Sequence, residues 1–404
     1  MLTLRTTPPR LFAISFERSS NDLAGLYFDA LWRHWSVRDR AVAAALSAGA
    51  ALVNLWSARG DLRAWSHGWD ADEQALLNDA QDFGAHLSMA ARKGVHRLLN
   101  PGAYPLAANP LKNKRIFAAR CAEAGLPAPE SFYGPAEQLR PWIERRDAFV
   151  AKPNYSSKGR GVVGFRRRDG GWSCDGRALT VEALERRLLA LLRDGGLLQQ
   201  ACDTHPALAD LSPGALPTLR VMTAINEAGE PEACDRVIRL SGGGPRAVDN
   251  FNAGNIVASL DREGRILRGH RRVGRHVEEV AVHPASGSAI AGRKIPDIGE
   301  AVALAVRAHG AFRSGFRVIG WDVGVAASGP CLIEGNWNPG SDILALASGR
   351  SLGDTRLGAI YRHHLGRTTP DEWRACGPIQ PEPRHPSRRL APGTAAGIGL
   401  ADAR

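Results

Sequence analysis

The sequence predicts an α+β protein, and three observations carry that reading. Residues 1–108 place apolar side chains at helical spacing through Leu26 to Trp35, Val42 to Trp56 and Glu73 to Leu87. Beyond them, short apolar runs interrupted by Gly, Ser, Asn and Pro read as strand pairs near 148–166, 218–240 and 319–336. Amphipathic segments over 181–193 and 298–311 lie between those pairs and read as helices. A chain of 404 residues is long enough for two or three domains.

In order, Asn100-Pro-Gly-Ala-Tyr-Pro105 and Asn109-Pro110 are breakers that read as a linker after a helical accessory region over 1–108. Lys112 to Ala124 is a helix stopped at Gly125, and Leu126-Pro-Ala-Pro129 leads into an extended stretch. Ala148 to Pro153 and Gly161 to Arg166 are strands flanking a Gly/Ser turn. Val181 to Arg193 is a helix with Leu184, Leu188, Leu191 and Leu192 on one side. Leu197 to Cys202 is a short strand. Thr218 to Ile225 and Ala233 to Leu240 are strands around the turn 226–231. Ile298 to Ala311 is helical. From Pro370 onward six prolines and many arginines predict a disordered tail.

Composition excludes several classes. Hydrophobic content of 44% and charged content of 23% are those of an ordinary globular chain. The longest membrane-span candidate, Ala41 to Trp56, is interrupted by Ser47, Gly49 and Asn54. Leu11 to Phe16 is too short for a signal-peptide core, so the sequence reads as cytoplasmic. Six cysteines, at 121, 174, 202, 234, 331 and 376, never form a C-x-x-C pair, which argues against zinc and against a disulfide framework. The net charge is +11, but the basic residues are scattered without an aromatic-interleaved stripe. That favours anionic small molecules over nucleic acid. Only six of 52 basic residues are lysines, and four of them (112, 114, 152 and 158) fall within one short stretch. Such a cluster suggests places where a compact point charge is wanted.

The hairpin Gly320 to Gly340 carries the clearest chemistry. With a turn centred near Ser328, Asp322 faces Glu334, and Asn336 lies on the same face two residues on. Two carboxylates and a carboxamide are hard oxygen donors suited to magnesium beside phosphate. Ile319, Trp321, Val323, Val325, Cys331 and Ile333 form the opposite, apolar face. A half-solvated hairpin with polar outer residues is the plainer alternative. The loop Asn154-Tyr-Ser-Ser-Lys-Gly-Arg-Gly161 offers hydroxyls, amides and two glycines to phosphate oxygens, with Lys152 on the entering strand. An ordinary polar hairpin loop would look similar. No Walker-type loop is present. His205, His270, His276, His363 and His364 show no ligand spacing.

Taken together, the order of a helix lysine, a strand ending Lys-Pro, a Ser/Gly loop, a hinge strand and Asp…Glu-x-Asn-x-x-Pro-Gly resembles the ATP-grasp pattern. The chain looks most like the sugar-transfer-associated branch, through Gln200 to Leu208, Thr218-Leu-Arg220, Val248 to Ile256 and Ile319 to Val323. The resemblance covers about 109–365. It implies two α+β lobes, over 109–197 and 198–370, sandwiching the nucleotide, with a Pro/Arg-rich tail over 371–404. By position, Lys114 and Lys152 would hold ATP phosphates under a mobile loop containing Ser156, Ser157 and Gly159. Gln199, Gln200, Ala201 and Cys202 would form the adenine hinge, and Asp322, Glu334 and Asn336 would bind Mg2+. Arg239 stands where relatives place a phosphate-binding cation. The hinge carries glutamines where relatives usually have Glu, and Asp203 or Asp210 is the candidate ribose ligand. Asn252 and Asn255 replace the His and Gly of the branch's phrase. The implied activity is ATP-dependent carboxylate–amine ligation through an acyl phosphate, with Arg220 and Arg239 as the cations at the reacting groups. Asn250 and Asn252 are candidates for substrate contact, with a capping or turn role as the alternative. The partners implied are a small carboxylic acid and an amine. A phosphotransferase, or a non-catalytic nucleotide-binding component of a polysaccharide-assembly system, are the alternatives.

Overall fold

The computed structural model describes residues 22–45, 69, 85–156, 159–168, 171–174, 177–243, 251, 254–274 and 276–376. Among the described residues, helices α1 (Leu23–His34), α2 (Met89–Leu99) and α3 (Lys114–Glu123) precede the sheets. A six-stranded antiparallel sheet follows. It is built from β1 (Ser131–Phe132), β2 (Ala148–Lys152), β3 (Val163–Arg168), β4 (Gly171–Cys174), β5 (Arg177–Leu179) and β6 (Leu197–Gln200), in the order β1-β6-β2-β3-β4-β5. Helices α4 (Leu139–Glu144) and α5 (Val181–Arg193) cover one face. Its core is aromatic: Phe149 stacks on Phe165 at 5.0 Å and meets Trp142 and Trp172 edge-on. Leu184, Leu188 and Leu191 of α5 close it, which is the apolar stripe expected from the sequence.

The second sheet has seven antiparallel strands: β7 (Thr218–Ile225), β8 (Pro231–Leu240), β9 (Ile256–Leu260), β10 (Ile266–Val273), β11 (His276–Val280), β12 (Val318–Ala326) and β13 (Gly329–Asn336). They lie in the order β11-β10-β9-β8-β7-β12-β13. One face packs on α6 (Ile298–Phe312) through Leu219, Val221, Ile319, Trp321 and Val323. Period-2 alternation puts Met222, Ala224 and Val318 on the opposite face. There they meet α1, α2, α7 (Asp342–Ser348), α8 (Arg356–Arg367) and α9 (Pro370–Ala375). Those helices cover only one end of that face. Thr218, Arg220, Arg239, Asp322 and Glu334 occupy the other end.

Several expectations change. The breakers at 100–110 are no linker, because Asn100, Ala103 and Asn109 are fully buried. Asn109 is pinned by its own turn, donating to Ala103 O and accepting from Leu111 N. Part of the stretch read as a tail is folded: residues 370–375 are helical, capped by Thr369 in a reciprocal bond with Glu372, and Trp373 is buried against Tyr27. Residues 377–404 lie outside the described residues. Of Val42 to Trp56 only 42–45 are described, and they are helical; of Glu73 to Leu87 only 85–87 are described. Helices α1 and α2 share one core with Met222 and Val318 of the second sheet. Strands β9 to β11 had no counterpart in the sequence reading. Strand β10 (Ile-Leu-Arg-Gly-His-Arg-Arg-Val) has no period-2 burial, because its register shifts between Ile266 and Gly269.

Candidate functional site

The hairpin β12–β13 pairs Asp322 with Glu334 as the spacing predicts, but by a different route. The turn is one residue tighter, with Ala326 opposite Gly329 and Val323 opposite Leu332, and a bulge at Ile333 restores the register before Asp322. One slipped residue exchanges faces. Leu332 therefore joins Trp321 and Val323 in the core, correcting the assignment of Cys331 and Ile333 to that face. A Cβ on Gly324 would stand 3.2 Å from both Cys331 Sγ and Ile333 Cδ1, so these two side chains line the Asp322 face.

Asp322 lies at the centre of a buried ion cluster. Strand register sets Arg220 directly opposite it, and Arg239 opposite Thr218 on the next strand. Arg220 Nε donates to Asp322 Oδ1 at 2.5 Å and Nη2 to Oδ2 at 3.0 Å, while Arg239 Nη2 approaches Oδ2 at 2.8 Å. Thr218 Oγ1 accepts from Arg239 Nε and Nη2 at 3.1 and 2.8 Å. Burial would raise the Asp322 carboxyl pKa, but the two guanidiniums outweigh it and hold the group at about 2. Oδ1 accepts from Arg220 Nε, and an ionised carboxylate oxygen has a further lone pair to offer.

Glu334 lies within hydrogen-bond reach of Asp322 and has no cation within ion-pair distance among the described residues. Asn336 donates Nδ2 to Gly320 O at 3.4 Å, which leaves Oδ1 as an acceptor. The donor set of Asp322 Oδ1, Glu334 and Asn336 Oδ1 is all oxygen and fits a hard divalent cation. Among the described residues no group of three His, Cys, Asp or Glu converges as a metal site, and the hairpin set has two carboxylates and a carboxamide.

The lysines arrive from the other side. Leu111 packs over Gly335, and Pro127 O accepts from Leu332 N at 2.8 Å, which seats the start of α3 against β13. The Glu334 carboxylate consequently acts on both Lys112 and Lys114. Burial first, and then the neighbouring Lys112 and Lys152, lower the Lys114 ammonium pKa to about 8 against the pull of Glu334. Lys112 was not among the sequence-selected site residues; the lysine cluster was the signal that could have found it. Lys114 Nζ donates to the carbonyls of Asn154 and Ser156 at 3.0 and 2.8 Å, and its amide to Asn154 Oδ1. It clamps the candidate phosphate loop onto α3. In that loop Gly159 and Gly161 have φ of 68° and 72°, which only glycine adopts freely. Ser157, Asn250 and Asn252 lie outside the described residues.

Lys152 Nζ donates to Gln199 Oε1 at 2.5 Å, and Gln199 Nε2 donates on to Ser131 Oγ at 3.3 Å. The hinge glutamine thus orients the strand lysine, a task that an unpaired chain position could not reveal. Past Gln200 and Ala201 the backbone transfers to the second sheet, with Thr204 bridging Ala326 and Ala327 N donating to Asp203 O. Cys202 Sγ there stands 3.8 Å from Cys331 Sγ. Asp210 is taken by Arg293 in a paired contact at 2.8–2.9 Å, which removes it as a ribose ligand and leaves Asp203.

Five cations (Arg220, Arg239, Lys112, Lys114 and Lys152) gather near two carboxylates (Asp322 and Glu334), an excess that suits a polyanion. The class so described is a two-sheet α+β protein with a cation-rich sheet face. Residues 96–360 match the family described as sugar-transfer associated ATP-grasp, and the chain belongs to that family. Its fold is therefore the ATP-grasp fold, preceded by N-terminal helices. No curated protein matches the chain. Solved structures similar to it include the ATP-grasp ligase PsnB complexed with minimal precursor, Mg and ADP (15% identity, 66% of this chain, 61% of that chain, TM-score 0.33). D-alanyl-alanine synthetase A from Vibrio cholerae O1 biovar eltor str. N16961 is similar at 11% identity over 65% and 67% of the chains, TM-score 0.38. D-cycloserine synthetase DcsG is similar at 14% over 64% and 71%, TM-score 0.40. The chain spans less than two thirds of the length of PsnB. No described helix is long and apolar enough to cross a membrane.

Proposed function

We propose that the chain joins a small carboxylic acid to an amine at the expense of ATP, releasing ADP and phosphate. The observation that carries this reading is the row Glu334–Asp322–Arg220 across one sheet face, joined by Arg239 from the position opposite Thr218, with Lys112, Lys114 and Lys152 brought to its edge. Bound magnesium would supply charge neutralisation at the β- and γ-phosphate oxygens. The protein's own part is positioning. Lys152, oriented by Gln199, sits with the loop 154–161 toward the phosphates. Arg220 and Arg239, locked on Asp322, present fixed donors to the transferring group and to the carboxylate oxygen that attacks the γ-phosphorus. The resulting acyl phosphate is opened by the amine, and phosphate leaves. Gln199 to Cys202 would line the base, with Asp203 beside the ribose.

The test is ADP release measured over pairs of acids and amines, with product mass. Ligation requires release that depends on both partners and a product whose mass equals acid plus amine minus water. Phosphate retained on one acceptor would identify a phosphotransferase, and tight nucleotide binding without turnover a non-catalytic component; either result overturns the ligase reading. Lys152→Ala is expected to weaken ATP binding about tenfold or more, the scale of one lost charged contact, as read by calorimetry; unchanged affinity removes Lys152 from the site. Cys202 gives an independent check. Its thiol lies where the base would lie, so saturating ATP with Mg2+ is expected to slow its alkylation by iodoacetamide at least severalfold, read by peptide mass spectrometry. Equal rates with and without nucleotide would contradict the placement of the hinge.

A further inference from the structure

Three side chains of α2 stand four residues apart, at Arg92, His96 and Asn100, the last being the helix C-cap. That spacing puts them in one stripe along the helix. All three are polar, yet Arg92 is 7% exposed and His96 and Asn100 are 0% exposed. Their partners follow in sequence along the loop that leaves β13. Asn100 Nδ2 donates to Trp337 O at 2.6 Å and to Val318 O at 2.8 Å, while its Oδ1 accepts from the amides of Arg317 and Val318. One carboxamide thereby ties the start of β12 to the residue just past the end of β13. His96 Nδ1 meets Asn338 Oδ1 at 2.8 Å and its Nε2 meets Tyr361 OH at 2.7 Å. Both contacts are satisfied by one neutral tautomer, with Nδ1–H donating to Asn338 and the tyrosine hydroxyl donating to Nε2. Arg92 Nη1 reaches Asp342 Oδ1 at 3.4 Å and lies 3.8 Å from where a Cβ on Gly340 would stand.

On its other side the loop rests on β12. Pro339 occupies the space over Gly320, where a Cβ would come within 2.5 Å of the Pro339 ring. The segment is held between a polar stripe and a glycine, and a shift in either direction orphans buried donors or meets the strand. Asn336 is the residue immediately before it, and Glu334 lies two residues further back.

We propose that α2 is the template for the metal-ligand loop: Arg92, His96 and Asn100 are positioning residues that hold residues 337–342, and through them fix Asn336 and Glu334 toward the cation. This assigns the N-terminal region a task in the chemistry, carried by a helix whose first turn precedes the stretch matching the family. It rests on the reading of Asp322, Glu334 and Asn336 as a metal site.

The experiment separates the two imidazole contacts in the full chain. His96→Asn keeps a donor near Nδ1 and loses the tyrosine contact; His96→Gln keeps a group near Nε2 and loses Asn338. Asn338→Ala and Tyr361→Phe remove the same contacts from the partners' side. The probe is Mn2+, titrated by electron paramagnetic resonance with a non-hydrolysable ATP analogue present. His96→Gln and Asn338→Ala are expected to weaken Mn2+ binding roughly tenfold or more, the usual effect of losing an outer-shell support. His96→Asn and Tyr361→Phe are expected to stay within about twofold of the parent on the same scale. Amide hydrogen exchange across 337–342 in the ligand-free protein should quicken in the first pair only. Weakening in all four variants in step with melting temperature, or wild-type affinity and exchange in the first pair, overturns the template. Wild-type protein that binds no Mn2+ with the nucleotide overturns the metal reading instead, and the ligand-free exchange still decides whether α2 holds the loop.

Discussion

Glu334→Gln is expected to lower ADP formation by roughly 10²–10³-fold, the range found when one pre-organised electrostatic partner is removed from a reacting centre. The melting temperature should stay close to that of the parent. The argument rests on an asymmetry between the two carboxylates. Glu334 is only partly buried and has no ion-pair partner among the described residues, so neutralising it breaks no internal salt bridge. Its charge bears instead on Lys112, Lys114 and whatever cation the oxygens of Asp322 and Asn336 share with it. Initial rates of ADP release, paired with a thermal melt of the same preparation, check both halves. Wild-type turnover in the variant would contradict the metal assignment, and a collapse of the melt would make Glu334 a structural residue.

Asp322→Asn is expected to behave in the opposite way and to destabilise the fold by about 3–5 kcal/mol, because it strips the counter-charge from buried guanidiniums. Arg220 and Arg239 both meet this carboxylate, and their side chains are only 8% and 11% exposed. The pH dependence has a definite sign. The native carboxyl titrates at about 2, below the roughly 3.9 of an unfolded Asp. Its contribution is complete above about pH 4 and fades as pH falls towards 2. The stability gap between parent and variant, read from urea melts, should therefore be smaller at pH 3 than at neutral pH. Parallel curves at both pH values would show that the triad does not hold the sheet together.

The two carboxylates look alike in the sequence and differ only by their neighbours. The hairpin, its Asp322–Glu334 pairing and the helices at 181–193 and 298–312 were legible because period-2 and period-3.6 patterns are local. The bulge at Ile333 was not, since inserting one residue changes no composition. It left the pairing of the acids intact by offsetting a turn one residue tighter, while moving Cys331 to the other face. Asn100 and Asn109 read as linker breakers because Asn next to Pro marks a turn, and nothing local says that the turn will be buried. Strand β10 escaped because its burial does not alternate: Ile266 and Gly269 are buried three residues apart, across a register shift. Lys112 escaped because its partner Glu334 is more than two hundred residues away.

By itself the sequence determined the family pattern, the hairpin of the acids with the helices at 181–193 and 298–311, and the identity of the acids and lysines, since each is written within a few consecutive residues. Only the tertiary structure decided their roles. It set Asp322 between two arginines and left Glu334 open, turned Lys114 onto the carbonyls of Asn154 and Ser156, and put Gln199 on Lys152. It also drew α2 from the N-terminal region against the loop after Asn336. The physical reason is the same in each case: whether a charge is spent inside the protein or offered to a ligand depends on which groups the packing places within about 3 Å of it, and those groups come from strands and helices far away in the chain.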